Sequence, residues 1–478
     1  MQMIIEARLV DDLGQAPPVQ LAVIERDLTT STLGLNLAEG KALLASTQRY
    51  LVSAQCAGIA DAHARCEKCE ARLTAKGSHP RHVRTLFGRV TVQSPCVRFC
   101  ACIGKPAGAS FSRLVAVVPT SVTPELEYLQ VKWAAHLSYA AATTLLSQVL
   151  PIAETISISG VRHRLRAVGD VLEQNTKAVA AARQCSKDRG KAVDAGPSLS
   201  ALAVDSGWLK HCDPPRRQGR HVNLVAGRAC FEDGRTKAYS DVHDQVPSAA
   251  SRLDQFLAVS GVNAAARVTI LTDGAGEFEK AAKGCTQRIC HILDWFHIAM
   301  KFQAVERSLF GGKQIEGWER DDIERGVHRA KWLVWQGKAS KGVAQLNALD
   351  IKLCARPGYE FSTLWWSLHK AAGYARANPG LVNYARRHHK GLSVSSSIAE
   401  SAVNQVVSLR MAKINQMRWS DEGPHLLAQV RVHEINSELR PRAIALPLRP
   451  PKPQARSRMG RVPDAQGSVA PTLAHSPN

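Results

Sequence analysis

Residues 269–278 read "TILTDGAGEF", and this stretch decides the fold. The strand-like residues Val268 to Leu271 run straight into Thr272-Asp273-Gly274. An acidic residue therefore stands where a buried strand runs out into glycine. Asp-Gly is a common turn dipeptide, so one reading is a turn and nothing more. The other reading is a metal-binding carboxylate held at a strand end, beside a glycine-containing backbone that must let something approach. The rest of the chain weighs between them.

A second acid occupies an equivalent place. Asp205 lies in "LAVDSGW", within or at the end of another apolar strand. Acids on apolar strands are costly unless they are paired or bind a metal. Two strands of one sheet, each ending in Asp, can present both side chains to the same divalent cations. A third carboxylate would come from a helix packed beside the sheet. Glu400, in "SSIAESAVNQVVSLR", is the candidate, because it opens a helix whose apolar face runs through Val403, Val406 and Val407. A serine run before a glutamate is also a capping pattern, so a cap remains open for Glu400.

Outward from these acids, residues 199–300 alternate strand and helix. The order is three strands, a helix, a strand, and a strand running into a helix, which is a mixed sheet with helices. Glu232-Asp233-Gly234 reads as a hairpin turn. Residues 300–390 are helical and rich in Trp and Arg, with no strand pattern.

The chain has 478 residues and a formal net charge of +21. A charge of that size points to a polyanionic partner, most simply nucleic acid. No apolar run of membrane-spanning length and no signal peptide is visible, so the chain reads as cytosolic with no membrane partner. From Arg440 to Arg461 there are seven Arg or Lys residues and no acid, among many prolines. This tail reads as disordered, either gripping DNA electrostatically or merely solvated.

Six of the twelve cysteines fall between Cys56 and Cys102. Cys66 and Cys69 form one close pair, Cys100 and Cys102 another, and a strand hairpin around Gly88 separates them. Two pairs flanking a hairpin suit a tetrahedral zinc site, with Cys96 and His63 as substitutes should the Cys-x-Cys spacing prove unsuitable. Such a site would be structural, since four protein ligands leave no position for a reacting water. Buried cysteines without metal are the alternative.

Residues 137–169 hold a small-residue helix, a turn near Pro151 and a second helix bearing Arg162, His163, Arg164 and Arg166. Ser157 or Ser159 would cap the second helix. This resembles a helix-turn-helix reading DNA through its arginines; an ordinary helical hairpin with a basic face fits the same pattern.

The blocks "LAVDSGW", "ILTDGAGEF", "DWFHIAMKF" and "SSIAESAVNQVVSLRMAKINQMRWS" together resemble, in order, bacterial insertion-sequence DDE transposases of the ISKra type. The segment "CEKC…VRTLFGRVTV…CAC" is similar to the N-terminal part of that family, and the resemblance spans roughly residues 35–435. It implies an RNase H-like catalytic core with a helical insertion before the last acid. It implies Asp205, Asp273 and Glu400 as a triad for two Mg²⁺ (or Mn²⁺) ions, beside structural Zn²⁺. Asp294-x-x-His297 is similar to a signature that orders the site or contacts DNA; a helix cap with a packed histidine is the plainer reading. Arg410, Lys413 and Arg418, on or after the Glu400 helix, would grip phosphates, and Gly274 and Gly276 would leave room for a DNA backbone. The implied partners are the double-stranded terminal repeats and target DNA, with copies of the chain paired on two ends in a bacterial, nucleoid-associated cytoplasm.

The expected organisation is then an N-terminal helical segment (1–55), a Cys-rich zinc-ribbon-like module (56–104), a helical DNA-binding region (105–182) and a linker (183–198). The α/β catalytic core follows in two parts (199–300 and 391–436) around the insertion (301–390), and the basic tail (437–478) closes the chain. A non-catalytic zinc and helix-turn-helix regulator, and an RNase H-like nuclease without joining activity, are the competing functions.

Overall fold

The computed structural model describes residues 1–439 except 12–13, 28–32, 107, 118–120, 153–155, 189–195, 213–220, 243–247, 264, 275, 312–317, 379, 396–400, 413–416 and 421. The basic tail thus lies outside the described residues. Those described fall into two compact units. One holds Met1–Ala57, Pro80–Val92 and the chain from Val122; the other holds Gly58–His79 and Gln93–Ser121.

The N-terminus differs from expectation. β1 (Gln2–Ala7), β2 (Val10–Asp11), β3 (Gly14–Gln15) and β4 (Val19–Glu25) precede the first helix, with β1 and β4 paired antiparallel. "QMIIEA" and "VQLAVIE" are rich in β-branched residues, which favour extended backbone. The expected helix is α1 (Leu37–Ala62), which runs past residue 55. β5 (Ala75–Thr85) and β6 (Gly88–Arg98) make the anticipated hairpin about Gly88, and β7 (Ser110–Ser112) adds a third strand at the β6 edge.

Four helices follow: α2 (Arg113–Val117), α3 (Pro124–His136), α4 (Tyr139–Val149) and α5 (Ile158–Asp188). The Ser157 hydroxyl accepts from Gly160 N at 3.1 Å, so the expected cap is present. α5 extends beyond residue 182, into the stretch read as a linker.

The central sheet is built from β8 (Leu199–Lys210), β9 (His221–Phe231), β10 (Thr236–Val242), β11 (Arg267–Thr272) and β12 (Arg288–Leu293), in the order β10-β9-β8-β11-β12. The first three pair antiparallel; β8, β11 and β12 pair parallel. β9 and the first half of β8 are almost continuously buried, as strands covered on both faces must be. On one face α6 (Ala249–Val259) places Leu253 and Leu257 against Leu202, Val204 and Ile270. Elsewhere α3, α5 and α13 (Gly423–Ile435) share a core with Leu224 and Ala226. α7 (Gly276–Gly284) links β11 to β12.

The helical insertion comprises α8 (Trp295–Gly311), α9 (Trp318–Trp335), α10 (Ala339–Cys354), α11 (Thr363–Ala377) and α12 (Tyr384–His389). Phe302, Val305, Leu309, Val327, Leu346 and Leu368 form its core together with Leu271 and Leu293 of the sheet. Each such side chain contributes about 1.5–3 kcal/mol by leaving water, which fixes the insertion to the strand ends. No helix among the described residues is long and apolar enough to cross a membrane.

Candidate functional site

Strand register brings the predicted aspartates together. Ile270 and Leu271 of β11 pair with Leu202 and Ala203 of β8. Asp273 lies two residues beyond Leu271, and Asp205 two beyond Ala203, so continuing the register sets them abreast. On the other side Thr272 pairs with Leu293, which sets Asp294 level with Asp273. Parallel neighbours in register project their side chains to one face, so three carboxyl-bearing positions lie side by side, Asp273 and Asp294 just past the ends of β11 and β12 and Asp205 within β8.

The three differ in availability. Asp205 and Asp273 are half-buried. Asp205 Oδ1 accepts from the Ser206 backbone N at 2.7 Å. Asp294 is fully buried and both its oxygens are engaged: Oδ1 accepts from Phe296 N at 2.9 Å, and Oδ2 meets His297 Nδ1 at 2.9 Å. Its own N–H donates to Thr272 O at 2.8 Å. Asp294 therefore ties the end of β11 to the start of α8 and aims His297. The His297 pKa is raised, first by the bond to Asp294, against burial, and further by the fields of Asp273 and Asp205. The ring is thus near enough to Asp273 and Asp205 to feel their charge.

The turn after Asp273 is held from the insertion. Gly274 has φ +87°, and a Cβ there would lie 2.6 Å from Leu293 Cδ1, 2.7 Å from Asn378 Oδ1 and 3.2 Å from the Tyr374 hydroxyl. Only glycine fits on both counts. The space expected to admit a DNA backbone at Gly274 is filled instead by α11 and the residue after it. The Tyr374 hydroxyl donates to the carbonyl oxygen of Asp273, and Asn378 Nδ2 donates to Tyr374 O at 2.7 Å. Lys301 of α8 stands 5.4 Å over the Tyr374 ring.

Glu400 lies outside the described residues. The chain just after it continues as a helix whose Asn404–Ala412 stretch is π-helical, a form that recurs at functional sites. Val407 of this stretch covers Gly207, where a Cβ would come 2.9 Å from Val407 Cγ1. Gln405 Oε1 accepts from Arg228 Nη2 of β9 at 2.7 Å. The Asn404–Ala412 stretch thus lies across β8 and β9, and meets β8 at Gly207, two residues along the chain from Asp205.

The four expected cysteines converge. The Sγ atoms of Cys66, Cys69, Cys100 and Cys102 all lie within 4.8 Å of one another, the one such group of potential ligands among the described residues. Cys66 and Cys102 are 3.4 Å apart, as are Cys69 and Cys100. A tetrahedral zinc with bonds of about 2.3 Å needs sulfurs roughly 3.8 Å apart, so the set could hold zinc structurally. Two tight turns make it. Glu70 adopts φ +57° after the first pair, with its N–H donating to Cys66 O at 2.8 Å; Gly104 adopts φ +69° after the second. Backbone N–H groups of Lys68 and Cys69 bring the Cys66 thiol down to about 7, and neighbouring thiols push Cys102 up to about 12. Cys96 and His63 stand apart from the cluster, and His63 Nδ1 meets Ile59 O at 2.9 Å.

The basic residues divide. Arg162 is exposed on α5. Arg164 is half-buried and donates to Gln130 Oε1 at 2.7 Å, and Arg166 pairs with Glu422 at 2.7 Å. Arg418 is exposed, and Lys413 lies outside the described residues. Arg410 corrects the sequence reading: it is fully buried, donates through Nε to Ala134 O at 3.0 Å and lies 5.0 Å from the Tyr139 ring. A guanidinium with no exposed surface cannot grip a phosphate, and burial lowers its pKa. Its place is structural, joining the π-helical stretch to α3 and α4.

Tyr374 and Asn378 were not legible as site residues. They sit about a hundred positions from Asp273 in the chain, and "GYARAN" carries no motif. No family model matches the chain, and no curated protein matches it.

Proposed function

We propose that the chain is a DDE transposase of the ISKra type, cutting and joining insertion-sequence DNA ends by metal-dependent phosphoryl transfer. The single observation carrying this reading is the pair Asp205 and Asp273, set abreast by the register of adjacent parallel strands. The sheet order, three antiparallel strands followed by two parallel ones, supports an RNase H-like core. The insertion between β12 and the Glu400 segment supports the same assignment, as does the net charge of +21.

The donor set suits hard cations, since carboxylate oxygens are what Mg²⁺ or Mn²⁺ prefer. Asp205 and Asp273 would hold the ions, with Glu400 as third ligand brought in by its chain neighbours. Asp294 is excluded from that role because both its oxygens are spent. Two bound ions supply activation of the attacking oxygen and stabilisation of the leaving one. His297, whose pKa is raised first by its bond to Asp294, would sit against the phosphate being transferred. Tyr374 holds the Asp273 turn so that its carboxylate need not reorganise, which is where much of phosphoryl-transfer catalysis lies. Duplex DNA carrying the element's ends is the substrate, with copies of the chain paired on two ends. Of the arginines singled out in the sequence, Arg162 and Arg418 are exposed and available to phosphates, and the cysteine cluster, with zinc, would hold the small unit together.

The test is cleavage and joining of terminal-repeat duplexes by Asp205→Asn, Asp273→Asn and Glu400→Gln. Loss of both activities with DNA binding retained is expected. Substantial retained cleavage would sink the triad. Cleavage without any joined product would favour a nuclease, and binding without metal-dependent nicking by the unaltered chain would favour a regulator.

A further inference from the structure

We infer that α11 carries a stacking platform for an unpaired DNA strand leading away from the carboxylates. This rests on the reading of the chain as a DNA-processing enzyme and adds a binding site to it.

Three observations converge. First, Phe361 and Trp366 are large aromatic side chains left 66 % and 48 % exposed. They form one cluster with Trp365: the Phe361 and Trp365 rings are 5.0 Å apart, and Trp365 meets Trp366 edge-on at 4.7 Å. Exposed rings of this size lose burial energy unless something covers them. Second, Phe361 adopts φ +62°. L side chains disfavour that region, so the backbone is held in a conformation that presents the ring. Third, the platform is in line with the acids. Trp366, Lys370 and Tyr374 lie at i, i+4 and i+8 of α11, on one face of the helix. Tyr374 touches Asp273, so the rings begin about 12 Å along the axis from that contact, at 1.5 Å per residue.

The chemistry of the face selects its occupant. Lys370 is exposed between the rings and the site, and Lys301 lies over Tyr374. Of the acids nearby, Asp350 is engaged by the Tyr359 hydroxyl at 2.5 Å and by His369 at 3.5 Å, and Glu360 is exposed beside Phe361, on the side of the rings away from Lys370 in the chain. Flat rings followed by free ammonium groups match bases and phosphates in turn. Single-stranded nucleic acid is bound in this way, by stacking that tolerates any base. A span of about 12 Å is three or four stacked base steps, and fewer nucleotides of an extended single strand, so a strand whose scissile phosphate sits at Asp205 and Asp273 would place an unstacked base on Trp366 and Phe361.

Binding is measured by anisotropy of a labelled oligothymidine of about twenty nucleotides and of a duplex of equal length. No divalent cation is added, so the result reads the platform whether or not the carboxylates cleave DNA. Trp366→Ala and Phe361→Ala should each weaken the single strand roughly 5- to 50-fold and the duplex less than about twofold. Trp366→Phe should stay within about threefold of the original. A 2-aminopurine-bearing strand should be quenched on binding the unaltered chain, a readout that needs no variant to fold. Unchanged single-strand affinity, an equal loss on duplex, or absence of quenching overturns the proposal. So does a change in oligomeric mass in Trp366→Ala with single-strand binding intact, which would mark the rings as a contact between copies.

Discussion

The Tyr374 hydroxyl donates to the backbone carbonyl of Asp273, tying the helical insertion to the strand end that carries a candidate metal ligand. The insertion is therefore a structural support of the site as well as an addition to it. Tyr374→Phe removes one hydroxyl and keeps the ring between Lys301 and the turn. It should slow strand cleavage about tenfold, because slight misplacement of a reacting group is expensive. The maximal rate should fall while the DNA Kd stays within about twofold. Equal loss in Kd and rate would show that Tyr374 binds DNA instead.

The two groups of arginines should separate in experiment. Arg410→Met should lower the melting temperature and leave the salt dependence of DNA binding unchanged, since the buried guanidinium bonds to Ala134 O. Arg162→Ala should do the reverse, reducing the slope of log K against log salt by about 1 with no change in melting. A salt-slope change in the Arg410 variant would contradict its burial.

The cysteine cluster predicts about one zinc per chain by elemental analysis, lost in Cys66→Ser or Cys100→Ser. Chelation should release zinc and unfold the unit formed by Gly58–His79 and Gln93–Ser121, because metal binding and folding are coupled in such sites. The remaining unit should keep its own melting transition. Zinc-free protein with unchanged proteolytic sensitivity near Cys66 would remove the structural role.

A buried ionic network makes stability depend on pH. Asp241 of β10 accepts from Arg252 of α6 at 2.7 Å; His425 of α13, Glu173 and Lys177 of α5, and the Tyr239 ring surround it. Burial pushes the Asp241 carboxyl up to about 6 from an ordinary 3.8, against the pull of Arg252 and His425. A carboxyl that holds its proton more tightly when folded adds stability below about 3.8, and that contribution is lost as the pH rises through 6. Glu173 behaves oppositely. Its hydrogen bond to His425 lowers it to about 2 from 4.5, so its contribution is present above 4.5 and lost on acidification toward 2. Between pH 4.5 and 6 the Asp241 effect therefore stands alone of the two. Melting of Asp241→Asn against the unaltered chain across that window should show the difference change by on the order of 1.5 kcal/mol. A flat difference would mean that Asp241 is not buried as described.

Much of the sheet was legible because alternating or continuous apolar runs are a local signal, and the turns at Gly234 and Gly274 punctuate them. Asp205 and Asp273 stood out because acids are rare on such runs. The cysteine ligands were legible from spacing alone. The strands at 2–25 were missed because short alternations such as "QMIIEA" carry little signal beside the helical pattern of 35–55. The burial of Arg410 was illegible for a different reason: its partners, Ala134 O and the Tyr139 ring, are about 270 residues away, and local sequence cannot separate a buried guanidinium from one facing DNA. The partner of Gly274 was hidden likewise, since glycine signals a need for space without naming what fills it.

Replacing Asp273 or Asp205 by cysteine tests the central claim most directly. A thiolate is a poor ligand for Mg²⁺ and a better one for Mn²⁺. Each variant should fail to cleave terminal-repeat DNA with Mg²⁺ and recover cleavage with Mn²⁺, while DNA binding stays unchanged. Cleavage that is lost equally with both ions, or retained with Mg²⁺, would contradict the assignment of these two aspartates as metal ligands.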